Sequence, residues 1–232
     1  MGHMIELRAA DGVVSEAYVA QPKREVRASI VVLQEIFGVN AHIRAVADGF
    51  ALAGFLVVAP ATFSRIQKHV NLGYSEKEVA SGRALKNQAE ALPAPGVMAD
   101  VQAAIRHASM ASRGKVGVVG YCWGGLLSWR AATRLPGVTA AVTYYGGGMT
   151  LPPERDAKPL CPVLAHFGSR DPLIPMDTVE AFRAAQPQVQ VQVQVYDADH
   201  GFNCDHRGSY DAAACELALE HTLGFFIDHF GL

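Results

Sequence analysis

The sequence has no apolar run long enough to cross a bilayer. The longest, Phe50 to Phe63, is interrupted by Gly54 and Pro60 and falls short of the roughly 20 residues that a spanning helix needs. It also has no basic run interleaved with aromatics, and its 20 Lys and Arg stand against 22 Asp and Glu, a formal charge of −2. Neither membrane nor nucleic acid is therefore an expected partner. The four cysteines, Cys122, Cys161, Cys204 and Cys215, form no CxxC pair, which leaves no disulfide framework or zinc-finger spacing and confines any thiol chemistry to single residues. Internal repeats, low-complexity tracts and linkers are missing as well. The opening Met-Gly-His-Met reads as a cloning remnant over residues 1–3 with the native start at Met4. The residues after Met4 lack the charged and apolar regions of a secretory signal, so a cytoplasmic location is expected.

Half of the residues, 50%, are apolar and only 18% are charged, the composition of a chain that folds around a core. At 232 residues such a chain buries roughly 70% of the surface it exposes unfolded, and a single domain over 4–232 is expected. Short β-branched runs alternate with longer amphipathic ones, which predicts an α/β class with a mostly parallel central sheet and helices on both of its faces. Asp11-Gly12 between two alternating runs, Met4 to Ala9 and Val13 to Ala20, is a hairpin signal. Ala28 to Gln34 and Phe55 to Ala59 are nearly unbroken apolar runs, as in parallel strands covered on both sides, and Ala41 to Ala53 between them has helical spacing. Further strands are predicted near Lys115–Tyr121, Val138–Tyr145, Val163–Gly168 and Val189–Tyr196. The Val-Gln alternation of the last suits a sheet edge. Helices are predicted from about Ser75 to Ala91, after Pro95 through His107, and near Gly125–Arg134, Met176–Ala185 and Tyr210–His229. Residues 64–93, polar and rich in Lys, Ser and Glu, read as surface elaboration.

Gly120-Tyr121-Cys122-Trp123-Gly124 follows the Val116-Gly117-Val118-Val119 run and precedes a helix. This matches the G-x-S-x-G nucleophile elbow with sulfur in place of oxygen. Side chains at the flanking glycines would collide with backbone in so sharp a turn. The helix behind it aims its leading N–H groups at the thiol, a setting that favours thiolate over thiol. The Trp123 N–H is one natural oxyanion donor, and a second is expected from the loop after an early strand, where Ile36 lies.

A thiol nucleophile needs a base and an acid that orients it, in the order nucleophile, acid, histidine for this kind of turn. Asp171, in Gly168-Ser169-Arg170-Asp171-Pro172, follows an apolar strand. His200, in Asp197-Ala198-Asp199-His200-Gly201-Phe202, follows the last one, and Gly201 permits a tight loop. Asp197 and Asp199 are the other candidate acids, but lie so near the histidine in sequence that facing away is expected. Among nine histidines, His107, His221 and His229 fall on helical faces. His42, His69, His166 and His206 lack a matching strand-end context.

At these residues the sequence resembles the dienelactone hydrolase family, the carboxymethylenebutenolidases of the α/β-hydrolase fold. The likeness rests on Gln34-Glu35-Ile36-Phe37-Gly38-Val39-Asn40, the GYCWGG stretch, Tyr144-Tyr145-Gly146 and Asp199-His200-Gly201-Phe202. The resemblance implies hydrolysis of 4-carboxymethylenebut-2-en-4-olide to maleylacetate, a step in chloroaromatic degradation, by a Cys122, His200, Asp171 triad without metal or cofactor. It implies that Glu35 meets the resting thiol and helps to generate the thiolate. It also gives substrate-facing places to Phe37, Tyr144, Tyr145 and Phe202. The family grips the substrate carboxylate with an arginine four residues after the histidine, where this chain has Cys204. Arg207 lies three further on, and Arg83 is the nearest match for a second family arginine. The expected partner is thus a small lactone or activated ester; simple unactivated esters are expected to be poor substrates. Monomer and dimer both stay open. Two other readings use the same residues: an oxidant-sensing or ligand-binding scaffold without turnover, and acyl transfer or amide hydrolysis by the same triad.

Overall fold

The hairpin signal at Asp11-Gly12 joins β1 (His3–Arg8) to β2 (Val14–Ala20). Gly12 takes φ +86°, and the Asp11 carboxylate accepts from the Val13 N–H at 3.2 Å. The structure is a computed structural model that describes residues 2–187 and 189–232. The chain divides into two units, Met1–Gly117 and Val118–Leu232, each described by itself. Met1 lies outside the described residues, and His3, within the stretch read as a cloning remnant, is the first residue of β1.

In the first unit β3 (Ser29–Leu33) and β4 (Leu56–Pro60) are buried at every position, as their unbroken apolar runs require. The strand order is β1-β2-β4-β3, with β2 antiparallel to both neighbours and β4 parallel to β3. α1 (Ala41–Leu52) starts where Asn40 accepts from the Ile43 N–H at 3.2 Å. α2 (Glu76–Glu90) opens with a reciprocal Ser75/Glu78 capping box, and α3 (Met98–Ala111) follows. The 64–93 stretch is more than surface elaboration, which corrects the sequence reading. Arg65 donates to both oxygens of buried Asp100, at 2.7 and 3.0 Å, and to Asp11 at 2.7 Å. α2 lies so close on the loop after β3 that a Cβ at Gly82 would sit 3.2 Å from the Ile36 carbonyl carbon. Contacts at such sequence separation leave no local periodicity to read.

The second unit holds most of β5 (Val116–Tyr121), then α4 (Trp123–Arg134), β6 (Ala140–Tyr144), β7 (Val163–Gly168), α5 (Met176–Ala185), β8 (Val191–Tyr196) and α6 (Ala212–Phe230). Its strand order is β5-β6-β7-β8, with β6, β7 and β8 parallel. The Val-Gln strand is at the end of that order, as its alternation suggested. Adjacent residues of β7 meet helices on opposite faces: Phe167 packs on Phe182 of α5 at 6.3 Å between ring centroids, and His166 bonds Thr222 of α6. Between β6 and β7 a short 3-10 turn, Glu154–Asp156, went unread in the sequence. Glu154 accepts from Arg130 at 2.8 Å and Arg134 at 2.6 Å, and its carbonyl takes the Trp129 indole N–H at 2.9 Å. Among the described residues no helix is long and apolar enough to cross a membrane.

Candidate active site

Every residue of β5 is buried, so the strand delivers the chain to the Cys122 turn on a fixed support. Cys122 has φ 53° and ψ −116°, a left-handed backbone that costs a non-glycine residue about 1–3 kcal/mol unless its surroundings hold it. Two hydrogen bonds do so: the Cys122 N–H donates to the Tyr144 carbonyl at 3.0 Å, and the Cys122 carbonyl accepts from Gly125 at 2.9 Å. α4 begins at once, at Trp123 rather than at Gly125, so the positive end of its dipole lies at the thiol. The glycines here are steric necessities. A Cβ at Gly120 would lie 2.9 Å from the Gly125 nitrogen, and one at Gly125 would lie 2.8 Å from both the Tyr144 oxygen and the Gly146 Cα. Because these neighbours are backbone, Gly125→Ala is expected to destabilise the protein by about 1–3 kcal/mol, readable as a lower urea midpoint.

Three side chains from separate loops converge on this turn. The His200 Nε2 is 3.2 Å from the Cys122 Sγ, and its Nδ1 is 2.7 Å from the Asp171 Oδ2. His200 and Asp171 are buried, and Cys122 is half-buried. The other Asp171 oxygen accepts the Leu173 N–H at 2.8 Å, which fixes the carboxylate. Asp171 hangs on the loop leaving β7 and His200 on the loop leaving β8. The two loops are in close contact, since a Cβ at Gly168 would lie 2.9 Å from the Ala198 carbonyl carbon. Gly201 supplies the turn after the histidine at φ +82°. Of the competing acids, Asp197 is exposed and pairs with Arg170 and Ser169, while Asp171 is the carboxylate on the imidazole.

Burial alone would lower the pKa of His200. The charge of Cys122 and the hydrogen bonds to Asp171 and Cys122 outweigh it, and the pKa rises from 6.5 to about 10. A raised histidine stabilises the folded protein fully below its unfolded pKa, and that stabilisation is lost as pH climbs from about 6.5 through about 10. The site thus sets the imidazole between a sulfur and a carboxylate.

Tyr145 takes φ 38°, and its ring centroid is 5.0 Å from that of His200 and 5.2 Å from that of Phe202. Sequence reasoning gave Tyr145 and Phe202 substrate-facing places, but not this packing on the imidazole. Phe202 is fully buried against Tyr145 and Tyr196, so it is a wall behind the site. Tyr144 corrects its own expectation. It is fully buried with its hydroxyl on Thr222 of α6 at 2.7 Å, a contact that turns it towards the helix. The Arg207 guanidinium lies against Gly201, with its carbon 2.7 Å from where a Cβ of that glycine would be, beside the imidazole loop. Cys204 is buried. The remaining candidates belong to the first unit. Glu35, Ile36 and Phe37 are buried on the loop after β3, Phe37 edge-on to Tyr74 at 4.5 Å. Arg83 is exposed on α2.

Comparison with known proteins adds to this geometry. The model of the dienelactone hydrolase family matches residues 15–230. A carboxymethylenebutenolidase of Pseudomonas putida is 34% identical over 227 residues, covering 95% of this chain and 94% of its own. A crystal structure described as "Putative Dienelactone Hydrolase" from Klebsiella pneumoniae subsp. pneumoniae MGH 78578 is 29% identical with a TM-score of 0.78, over 97% of this chain and 98% of that one.

Proposed function

This chain belongs to the dienelactone hydrolase family of ester and lactone hydrolases, with their α/β-hydrolase fold, and on that premise we propose that it opens an activated lactone or enol ester through a thioester on Cys122. The observation that carries the reading is the line of contacts from the Cys122 Sγ through the His200 imidazole to the Asp171 carboxylate, at 3.2 and 2.7 Å. In the first step the sulfur, its proton passed to His200, forms a bond to the substrate carbonyl carbon, and the tetrahedral oxyanion accepts from the Trp123 N–H at the start of α4. Collapse breaks the carbon–oxygen bond of the ester. The leaving enolate oxygen takes the proton from His200, which is then a neutral base. In the second step His200 removes a proton from water, the hydroxide adds to the thioester carbonyl, and the thiolate departs as the acid is released. Asp171 holds the ring with one nitrogen facing sulfur throughout.

A thiolate leaves more readily than an alkoxide, so the first tetrahedral intermediate reverts unless the substrate's own leaving group is stabilised. An enolate meets that condition, as does p-nitrophenolate. Loss of the His200 proton ends the cycle, so kcat/KM is expected to fall on the alkaline side with an apparent pKa near 10.

The carboxylate of a dienelactone-type substrate would be gripped by Arg207, the cation packed beside the histidine loop. A charged hydrogen bond of this kind contributes about 1.5–3 kcal/mol. Arg207→Ala is therefore expected to raise KM for the anionic dienelactone about 10- to 100-fold. KM for neutral p-nitrophenyl acetate should stay within about twofold. Steady-state kinetics on the two substrates decide it. Equal losses on both would assign Arg207 to the packing of the loop and would remove the anionic lactone as the favoured substrate.

A further inference from the structure

The hydrolytic steps leave unused a line of polar side chains buried between the strands of the second unit and α6. The Tyr144 hydroxyl is 2.7 Å from the Thr222 Oγ1, which is 3.0 Å from the His166 Nε2. The His166 Nδ1 is 2.9 Å from the Tyr196 hydroxyl, which is 3.0 Å from the His221 Nδ1. Tyr144, His166 and Thr222 are wholly buried. Groups so placed are tolerated only when their hydrogen bonds are made.

The protons of this line can be ordered. If they run from Tyr144 towards His221, the Tyr144 hydroxyl donates to Thr222, Thr222 to the His166 Nε2, the His166 Nδ1–H to Tyr196, and Tyr196 to the His221 Nδ1. Every hydroxyl then gives one bond. In the reverse order the buried Tyr144 phenol proton would have no acceptor among the described residues, and an orphaned buried donor is the costlier arrangement. His166 must therefore carry its proton on Nδ1. Burial, with His221 nearby, pushes its pKa down from 6.5 to about 3, which keeps it neutral, the form that gives one bond and accepts one.

The backbones of the same residues hold the catalytic turn. The Tyr144 carbonyl accepts the Cys122 N–H at 3.0 Å, and the His166 carbonyl accepts the N–H of Tyr145, whose ring packs on His200, at 2.8 Å. The Tyr196 carbonyl accepts from Ser169 at 2.7 Å and from Ala198 at 2.9 Å. Those two residues lie at the roots of the loops that end in Asp171 and His200.

We propose that His166 is a positioning residue for the hydrolysis, which as its Nδ1–H tautomer fixes Tyr196 and Thr222 at one spacing and so sets the strand ends from which Cys122, Asp171 and His200 project. The proposal rests on the triad reading above, and its test separates the two. Nitrogen-15 NMR of the resting protein reads the tautomer without substrate and independently of which residue is the nucleophile. The Nδ1–H form is expected, and the Nε2–H form would overturn the proposal. In kinetics on p-nitrophenyl acetate, His166→Phe is expected to lower kcat about 10- to 100-fold, with KM within about threefold and the alkaline limb moved to lower pH. His166→Gln, whose amide both donates and accepts, should recover activity to within about tenfold of wild type. Tyr196→Phe, which removes a single hydroxyl and serves if His166→Phe does not fold, should fall between them. A folded His166→Phe or Tyr196→Phe protein with wild-type kcat and an unmoved alkaline limb would overturn the positioning role. A mere filler of the core would lower the melting temperature and leave both kinetic readouts in place.

Discussion

Replacing Cys122 by alanine is expected to lower kcat/KM for p-nitrophenyl acetate by about 10⁴-fold or more, as removal of a covalent nucleophile does elsewhere. The substitution keeps the Cβ, so the turn at φ 53° is as strained as before. The hydrogen bonds that hold it come from backbone and are retained. Folding should therefore change little while turnover is lost, a separation that a purely structural cysteine would not show. His200 supplies an independent readout. The charge of Cys122 is the largest influence that raises its pKa, so the alanine variant should bring the imidazole well below 10 in an NMR titration.

Asp171→Asn is expected to lower kcat about 10²- to 10⁴-fold with KM nearly unchanged. The asparagine can keep the Leu173 N–H bond that now ends on one carboxylate oxygen at 2.8 Å, so the loop should stay in place. What it cannot supply is negative charge on the His200 Nδ1 side, where the carboxylate accepts at 2.7 Å. An amide there also allows the ring to turn its proton the wrong way. Because Asp171 is among the causes that hold His200 above its usual value, the alkaline limb of kcat/KM should move to lower pH. Here the direction of the shift is the diagnostic. A variant that lost rate with an unmoved limb would indicate that Asp171 matters for folding of the loop alone.

The parts of this site that were legible in the sequence are those whose constraints are local. Gly120 answers to the backbone of Gly124 and Gly125 a few residues away, and the strand before it is a buried apolar run, so motif and context could be read together. Asp171 and His200 could be placed at strand ends because the apolar runs of β7 and β8 stop just before them. The same logic put the start of α4 two residues late, since Cys122 itself is the cap and glycine spacing does not show it. The family resemblance, for its part, gave Tyr144 a substrate-facing place. Both adjacent tyrosines are buried; which of them turns towards α6 depends on where that helix lies, and Thr222 is 78 residues away. His166 was passed over for the same reason: it stands within a strand, and its partners Tyr196 and Thr222 come from elements 30 and 56 residues further on. Glu154 beneath α4 and Arg65 between Asp11 and Asp100 are of this kind too. Such pairs satisfy buried polar groups across the fold, and one-dimensional patterning carries no trace of them.

The most direct measurement is to acid-quench the protein during turnover of p-nitrophenyl acetate and map the acyl group by peptide mass spectrometry. The acetyl should be found on the peptide containing Cys122, as a thioester that hydroxylamine removes, and should not form in Cys122→Ala. Sustained turnover with the label on another residue, or undiminished turnover in Cys122→Ala, would contradict a sulfur nucleophile at this turn.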